Sequence, residues 1–314
     1  MSVGNVLQAI GNTPLVQLRE VVPPGSARVL VKLEGANPTG SMKDRWAWTV
    51  IERAEADGRL SPGGTVVEYT GGNTGAALAM VCTAKGYRTR LVTSDAFSQE
   101  KRDHMEALGA ELTIVPSEGG LTTEKLIREM IRVADQISDE PGSFYSDQLN
   151  NVDGIAGYFP LGEEIWKQTG ERVDAFVQSV GTAQSLRGVM EALCQHDPDV
   201  RATAVEPAES AVLSGGETGA HDIEGIAIGY TPPLWEPSLV DEMQTVSTVE
   251  AKEMARRLAG EEALLAGTSS GANVVAALRV AERLGPEATV VTLLVDSGIK
   301  YLSTDLYKST RQFR

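Results

Sequence analysis

Short β-branched runs alternate with longer apolar-periodic runs along most of this chain. Thr65-Val66-Val67-Glu68-Tyr69 reads as a strand, and Ala76 to Lys85 as a helix closed by Gly86, since glycine is favoured just past a helix C-terminus. Strands are predicted at Thr89 to Thr93 and Glu111 to Val115, with a helix at Gln99 to Leu108 between them. Thr122 to Ser138 places Leu126, Met130, Val133 and Ile137 on one helical face. The second half repeats the scheme with strand Ala175 to Val180, helix Ser185 to Gln195 and strand Ala202 to Val205. Ser247 with Glu250 gives a capping-box signal for a helix ending near Gly260. Ala272 to Leu284 reads as a helix, and Thr289 to Val295 as a strand apolar enough to be covered on both faces. Such alternation predicts α/β architecture with parallel sheets and crossover helices. Residues 210–237, rich in Gly and Pro and without periodicity, read as a long loop over a functional cleft. Two α/β units without a linker predict two domains packed face to face, with a ligand cleft between them.

Composition narrows the function classes. The 314 residues are 42% hydrophobic and 23% charged, which suits a large globular core. A net charge of -15 argues against nucleic acid as a partner, because phosphate-backbone binding needs a basic surface. No apolar run approaches a membrane-spanning length, and Met1-Ser2-Val3-Gly4-Asn5 carries no basic segment of a signal peptide, so a cytoplasmic enzyme is expected. Cys82 and Cys194 fall in apolar helical patterns and read as buried thiols. His104, His196 and His221 are scattered without ligand spacing, which speaks against a zinc site or a histidine triad.

The candidate chemistry centres on Lys43, in Asn37-Pro38-Thr39-Gly40-Ser41-Met42-Lys43-Asp44-Arg45. Ala47, Val50, Ile51 and Ala54 make the following helix packed on one side, so its first turn faces the interior or a cleft. A lysine there can lose its proton and form a Schiff base; the bland alternative is a solvated lysine paired with Asp44 or Glu34. Thr70-Gly71-Gly72-Asn73-Thr74-Gly75 lies between strand and helix, with backbone N–H groups, two hydroxyls and an amide suited to an anion. Gly181-Thr182-Ala183-Gln184-Ser185 and Gly267-Thr268-Ser269-Ser270-Gly271 are read the same way, each following a strand. Three such loops at strand C-terminal ends would converge on one crevice.

Gly11-Asn12-Thr13-Pro14-Leu15, the lysine motif, the three loops and Tyr301-Leu302-Ser303-Thr304 together resemble the cysteine synthase and cystathionine β-synthase branch of the pyridoxal-phosphate β-family, fold type II, over about residues 4–307. The resemblance implies two three-layer αβα domains: a smaller, mobile, substrate-binding one at 36–148, and a larger, cofactor-binding one from 1–35 plus 149–314. It implies pyridoxal 5'-phosphate held by Lys43, which later moves the Cα proton. Asn73 would meet the ring hydroxyl, Gly181, Thr182, Ala183, Gln184 and Ser185 the phosphate, and Ser269 the ring nitrogen. Thr70, Gly71, Gly72, Asn73, Thr74, Gln148 and Gly225 would face the substrate. A serine at the ring nitrogen weakens the electron sink and favours β-elimination. The implied reaction is β-replacement on O-acetyl-L-serine through an aminoacrylate, with sulfide giving L-cysteine and acetate. The alternatives are replacement by another thiol, an amine or homocysteine, a serine/threonine dehydratase, or a non-catalytic protein on the same scaffold. A homodimer is implied, and a serine acetyltransferase tail is raised as a partner.

Several positions depart from the family pattern. Gly71 stands where a serine is common, and Ala183-Gln184 replace two glycines. Pro160-Leu161-Gly162-Glu163-Glu164-Ile165-Trp166 differs from the usual segment, and Trp46 and Trp48 are bulkier than usual and read as packing at a domain or subunit interface. Gln184 is expected to reach solvent or a neighbouring loop. Asp296 is either a partner of the ring-nitrogen serine or a cap of the next turn, the cap preferred. The Glu224 to Tyr230 loop has no arginine for a phosphoserine, which favours a neutral leaving group, and Tyr230 is expected at the substrate entrance.

Overall fold

A computed structural model describes residues 4–120 and 122–308; Met1 to Val3, part of the segment read above for targeting, lie outside it. The strands are β1 (Leu15–Gln17), β2 (Arg28–Leu33), β3 (Thr65–Tyr69), β4 (Arg88–Ser94), β5 (Glu111–Val115), β6 (Ser143–Tyr145), β7 (Ala175–Ser179), β8 (Arg201–Pro207), β9 (Glu242–Val246) and β10 (Thr289–Leu294). The helices are α1 (Lys43–Asp57), α2 (Asn73–Lys85), α3 (Gln99–Ala107), α4 (Glu124–Ser138), α5 (Asp153–Gln168), α6 (Gln184–His196), α7 (Thr248–Glu261) and α8 (Thr268–Leu284).

They build two sheets. One has the order β5-β4-β3-β6 and is parallel throughout. The other has the order β1-β2-β10-β7-β8-β9; only β1 runs antiparallel to its neighbour. Every side chain of β3, β7 and β10 is buried, as central strands with both faces covered require. Helices α1, α2, α5 and α6 fill the space between the sheets. Their apolar side chains form one core with Val66 and Leu91 of the first sheet and Leu30, Phe176 and Val291 of the second.

Beneath α1 lies a buried ion cluster. Arg45 Nε meets Glu34 at 2.7 Å and its Nη1 meets Glu164 at 2.7 Å, while Lys32 Nζ meets Glu164 at 2.7 Å. The cluster ties α1, β2 and α5 together two residues after Lys43. Burial would raise the Glu164 carboxyl, but Arg45 and Lys32 outweigh it and hold the group down at about 2.

Element boundaries moved from the sequence reading in instructive ways. Helices α2 and α8 begin at Asn73 and Thr268, several residues earlier than apolar periodicity suggested, because their first turns are the polar loops themselves. The third loop does not follow a sheet strand: Ala266 makes a single bridge to Ser297. Residues 210–237 are irregular as expected, but β9 follows them unforeseen. Helix α5 was also hidden by its glycines and Pro160, and the glycines are there for close packing. A Cβ on Gly157 would sit 2.8 Å from the Arg45 carbonyl, and one on Gly162 2.7 Å from the Val189 carbonyl. Cys82 is buried, its thiol pushed up to about 12 by burial, whereas Cys194 is only half-buried, against the expectation of two buried thiols.

Candidate active site

A cleft of about 340 Å³ opens between the sheets. Its lining includes Lys43, residues 70–74, Gln148, Gly181, Thr182, Ser185, Gly225 and Ser269. The polar loops predicted to converge therefore do so. The long loop supplies residues 218–221 and 224–229 of the wall.

Lys43 is the first residue of α1 and opens onto the cleft. Neither candidate partner takes it. Asp44 accepts from the Thr39 backbone N–H at 2.8 Å, and Glu34 is committed to Arg45, Thr13 and Asn37. Among the described residues the Lys43 amine has no hydrogen bond or ion pair. Burial lowers it to about 8, opposed by the charge of Glu68. A good share of such amines is neutral near pH 8 and able to attack a carbonyl.

Helices α2, α6 and α8 all start at the cleft; their N-cap residues offer no side-chain cap, and at α2 only the Gly75 N–H is taken, by Thr70 Oγ1. The α6 and α8 starts, and the first two N–H groups of α2, are therefore open to an anion. At α6, Gly181, Thr182 and Ser185 line the cleft. Ala183 holds the turn at φ 66°. Gln184 reaches a neighbouring loop, one of the two expectations, and neither solvent nor the cleft: it is fully buried, accepts from Trp46 Nε1 at 2.9 Å and donates to the Gln148 carbonyl between β6 and α5. Trp46 is thus internal packing between α1 and α6, and Trp48 lies half-buried on the same core. Ser269 is 3% exposed, and its hydroxyl has no partner among the described residues.

The loop at 70–75 is self-bonded. Thr70 Oγ1 accepts from the backbone of Gly72 at 2.9 Å and Gly75 at 3.0 Å. Thr74 donates to Gln148 Oε1 at 2.8 Å, and Gln148 donates to the Tyr69 carbonyl at 2.8 Å. Gly71 has its own reason to be glycine. A Cβ there would lie 3.1 Å from the Phe97 ring, so a serine would require the ring to shift by a few tenths of an ångström.

Asn73 is held at both ends. Its amide donates to Asp296 at 2.7 Å, and its carbonyl oxygen accepts from Lys300 Nζ at 2.6 Å. Asp296 also accepts from Tyr301 at 2.6 Å, so it is not the cap preferred from sequence; Ser297 caps the turn, accepting from Ile299 N–H. Tyr230 is likewise displaced from the cleft lining, and Arg128 lies over its ring at 4.8 Å.

Sequence reasoning missed Lys101, Glu224 and Lys300. Lys101 and Glu224 both line the cleft and pair with each other, and the Lys101 amine lies 4.4 Å from the Tyr301 ring centre. Burial brings Lys300 down to about 8. No motif marked them, but the charges at 101 and 224 could have been weighed as a cross-cleft pair.

Helix starts with free N–H groups around one unpaired lysine of lowered pKa define a site for a phosphorylated carbonyl cofactor. Comparison with known proteins agrees. The model of the family described as pyridoxal-phosphate dependent enzyme matches residues 6–296. The cysteine synthase of Staphylococcus aureus is 42% identical over 307 residues, 97% of each chain. Among solved structures, O-ureido-L-serine synthase is 37% identical with a TM-score of 0.91, covering 100% of this chain and 98% of that one. The O-acetylserine dependent cystathionine beta-synthase of Helicobacter pylori is 35% identical with a TM-score of 0.91, covering 98% and 99%. The chain belongs to the pyridoxal-phosphate dependent enzymes of fold type II, in their cysteine synthase and cystathionine β-synthase branch. It is an enzyme, its cofactor is pyridoxal 5'-phosphate, and its substrates are small molecules. Among the described residues no helix is long and apolar enough to cross a membrane.

Proposed function

We propose that this enzyme replaces the acetyl group of O-acetyl-L-serine with sulfide, giving L-cysteine and acetate. The observation that carries the reading is the unpaired Lys43 amine, in a cleft where the α2, α6 and α8 helix starts meet, within a chain 42% identical to a cysteine synthase. The cofactor, when bound, supplies the electron sink for loss of the β-substituent. Lys43 would hold the cofactor, and its Nζ would take up the proton from the substrate Cα. The α6 start, with Gly181, Thr182 and Ser185 and the backbone of Ala183 and Gln184, takes the phosphate. Ser269 would offer its hydroxyl to the ring nitrogen, and Asn73 would offer its amide to the ring oxygen. Thr70, Gly71, Gly72, Thr74 and Gln148 take the substrate carboxylate, with Gly225 opposite them.

The charges favour a neutral leaving group. The lysines lining the cleft among the described residues are Lys43 and Lys101, and Glu224 neutralises Lys101. A phosphate leaving group would lack an uncommitted cation. One observation supports a second reading, replacement by a larger amino-acid thiol such as homocysteine. Lys101 and Glu224 offer the opposite charges that a zwitterionic nucleophile would need.

Residues 36–148 are proposed as the smaller, mobile, substrate-binding domain, with 1–35 and 149–314 as the larger. The first sheet, wholly within 65–145, supports this. So do the polar ties that cross to the second part, Asn73 to Asp296 and Lys101 to Glu224. A homodimer, a cytoplasmic location and docking of a serine acetyltransferase tail are proposals resting on the family resemblance.

The test is acetate release by the cofactor-loaded enzyme from O-acetylserine, set against phosphate release from O-phosphoserine and turnover of serine. O-acetylserine should react at least ~10-fold faster, and Lys43→Ala should lose turnover by several orders of magnitude. Faster reaction with O-phosphoserine, or an active Lys43→Ala variant, refutes the reading.

A further inference from the structure

Asn73, the first residue of α2, is the cleft-lining amide assigned above to the cofactor's ring oxygen. An amide side chain has two unlike ends, a carbonyl oxygen that accepts and an NH2 that donates. Half a turn about its last bond exchanges them, and the ring oxygen would then meet the opposite chemistry. The neighbours of Asn73 decide between the two. Lys300 Nζ lies 2.6 Å from its Oδ1, and Asp296 Oδ2 lies 2.7 Å from its Nδ2. An ammonium has only donors and a carboxylate only acceptors. The exchanged amide would set donor against donor and acceptor against acceptor, losing two charge-assisted hydrogen bonds at once. The observed orientation spends one Nδ2 hydrogen on Asp296 and leaves the second uncommitted among the described residues.

Both charged groups are themselves fixed. Asp296 and Lys300 are 1% and 7% exposed. Asp296 Oδ2 also accepts from Tyr301 at 2.6 Å, and its backbone bridges to Ser41 of the lysine motif. The Lys300 stem passes Gly40 of the same motif, where a Cβ would lie 3.5 Å from its Cε. Its backbone carbonyl accepts from Ser98 at 3.1 Å. Asn73 lines the cleft, whereas Lys300 and Asp296 do not, so their contact with a cofactor runs through the amide between them.

We propose that Lys300 and Asp296 are positioning residues that lock the Asn73 amide with its N–H toward the cofactor, so that the ring oxygen meets a donor and stays ionised. The proposal rests on the assignment of Asn73 to the ring oxygen. A donor stabilises negative charge on that oxygen, whereas the exchanged amide would present an acceptor and retain a proton there. Lys300 at the carbonyl end also polarises the amide, which strengthens its N–H as a donor.

The test reads the absorption of the cofactor-loaded enzyme at pH 7 without substrate. An ionised ring oxygen absorbs at longer wavelength than a protonated one, so the ratio of long- to short-wavelength bands reports which amide end it meets. Either charge alone still opposes the exchange, so Lys300→Met and Asp296→Asn should each lower the ratio by less than about twofold. Together they release both ends, and the double variant should lower it about threefold or more, beyond the product of the singles. The pair is charge-balanced, so its loss leaves the net charge near the cofactor unchanged. Lys300→Arg with Asp296→Asn, which returns a cationic donor to Oδ1, should recover most of the ratio. In an Asn73→Ala background the double change should have no further effect.

The proposal is overturned if the double variant keeps the wild-type ratio or if Lys300→Met alone raises it. An equal drop in the Asn73→Ala background, or a failure of Lys300→Arg to recover the ratio, overturns it as well. Asn73→Ala with wild-type absorption would overturn the ring-oxygen assignment and the lock together. An altered Asn73→Ala beside an unaltered double variant overturns the lock alone. The readout holds whichever donor and nucleophile the enzyme uses.

Discussion

Gly71 and Phe97 have to be understood as a pair. The loop gives up a hydroxyl at 71, and the Phe97 ring covers the vacated space at the cleft wall. Gly71→Ser should therefore fail to restore a carboxylate donor. It should overpack against the ring, cost about 1–3 kcal/mol of stability and raise the KM for O-acetylserine, while Gly71→Ser with Phe97→Met should recover much of both. Melting and steady-state kinetics of the single and double variants check this, and additive effects would show that the two residues are uncoupled. The departure at 71 was visible in the sequence. Its cause was not, because residue 97 reaches the loop only through the fold of the β4–α3 connection. Lys43 was legible for the opposite reason: its motif is local, and the apolar spacing behind it already turned the first helical turn inward.

Two other departures, Trp46 and Gln184, proved to be one feature at the level of elements. Trp46 on α1 donates to Gln184 at the start of α6, and Gln184 donates onward to the Gln148 carbonyl. The tie links α1, which begins with Lys43, the start of α6 and the loop that carries Gln148. Trp46→Phe would keep most of the apolar volume but leave Gln184 Oε1 buried without a donor. That should cost about 1–3 kcal/mol, and Trp46→Phe with Gln184→Gly should be less than additive. Denaturant unfolding of the three variants measures it. Periodicity predicted α4, α6 and most strands because each has a single apolar face or a fully buried run. It failed for α5, whose Gly154, Gly157, Gly162 and Pro160 look like loop residues. The helix survives because those glycines let it approach α1 and α6 closely, a tertiary gain invisible to a local pattern.

For the molecule as a whole, the buried Arg45, Glu34, Glu164 and Lys32 cluster anchors the first sheet's connection to the second just behind Lys43. Removing the Glu164 charge leaves Lys32 buried without an ion pair while Arg45 keeps Glu34, so Glu164→Gln should approach the ~3–5 kcal/mol typical of a broken buried pair. The sign with pH follows from Glu164 lying near 2 in the fold. Its contribution is present above the ordinary value of 4.5 and is lost as pH falls through about 2. Glu164→Gln should consequently melt lower at pH 7 but show a shallower loss from pH 5 to 2; a parallel loss would contradict the assignment. Two α/β units and a shared cleft were readable from alternation alone. The polar ties across that cleft, from Lys101 to Glu224 and from Lys300 to Asn73, were not, because each joins residues more than a hundred positions apart.

The central claim is that this cleft delivers sulfide rather than a larger nucleophile to the β-carbon of O-acetylserine. The most direct measurement is a competition: cofactor-loaded enzyme, limiting O-acetylserine, and equal concentrations of sulfide and homocysteine, with products separated by mass. The account predicts that cysteine predominates, one acetate released for each. Predominance of cystathionine would contradict it and assign the Lys101–Glu224 pair to recognition of an amino-acid thiol.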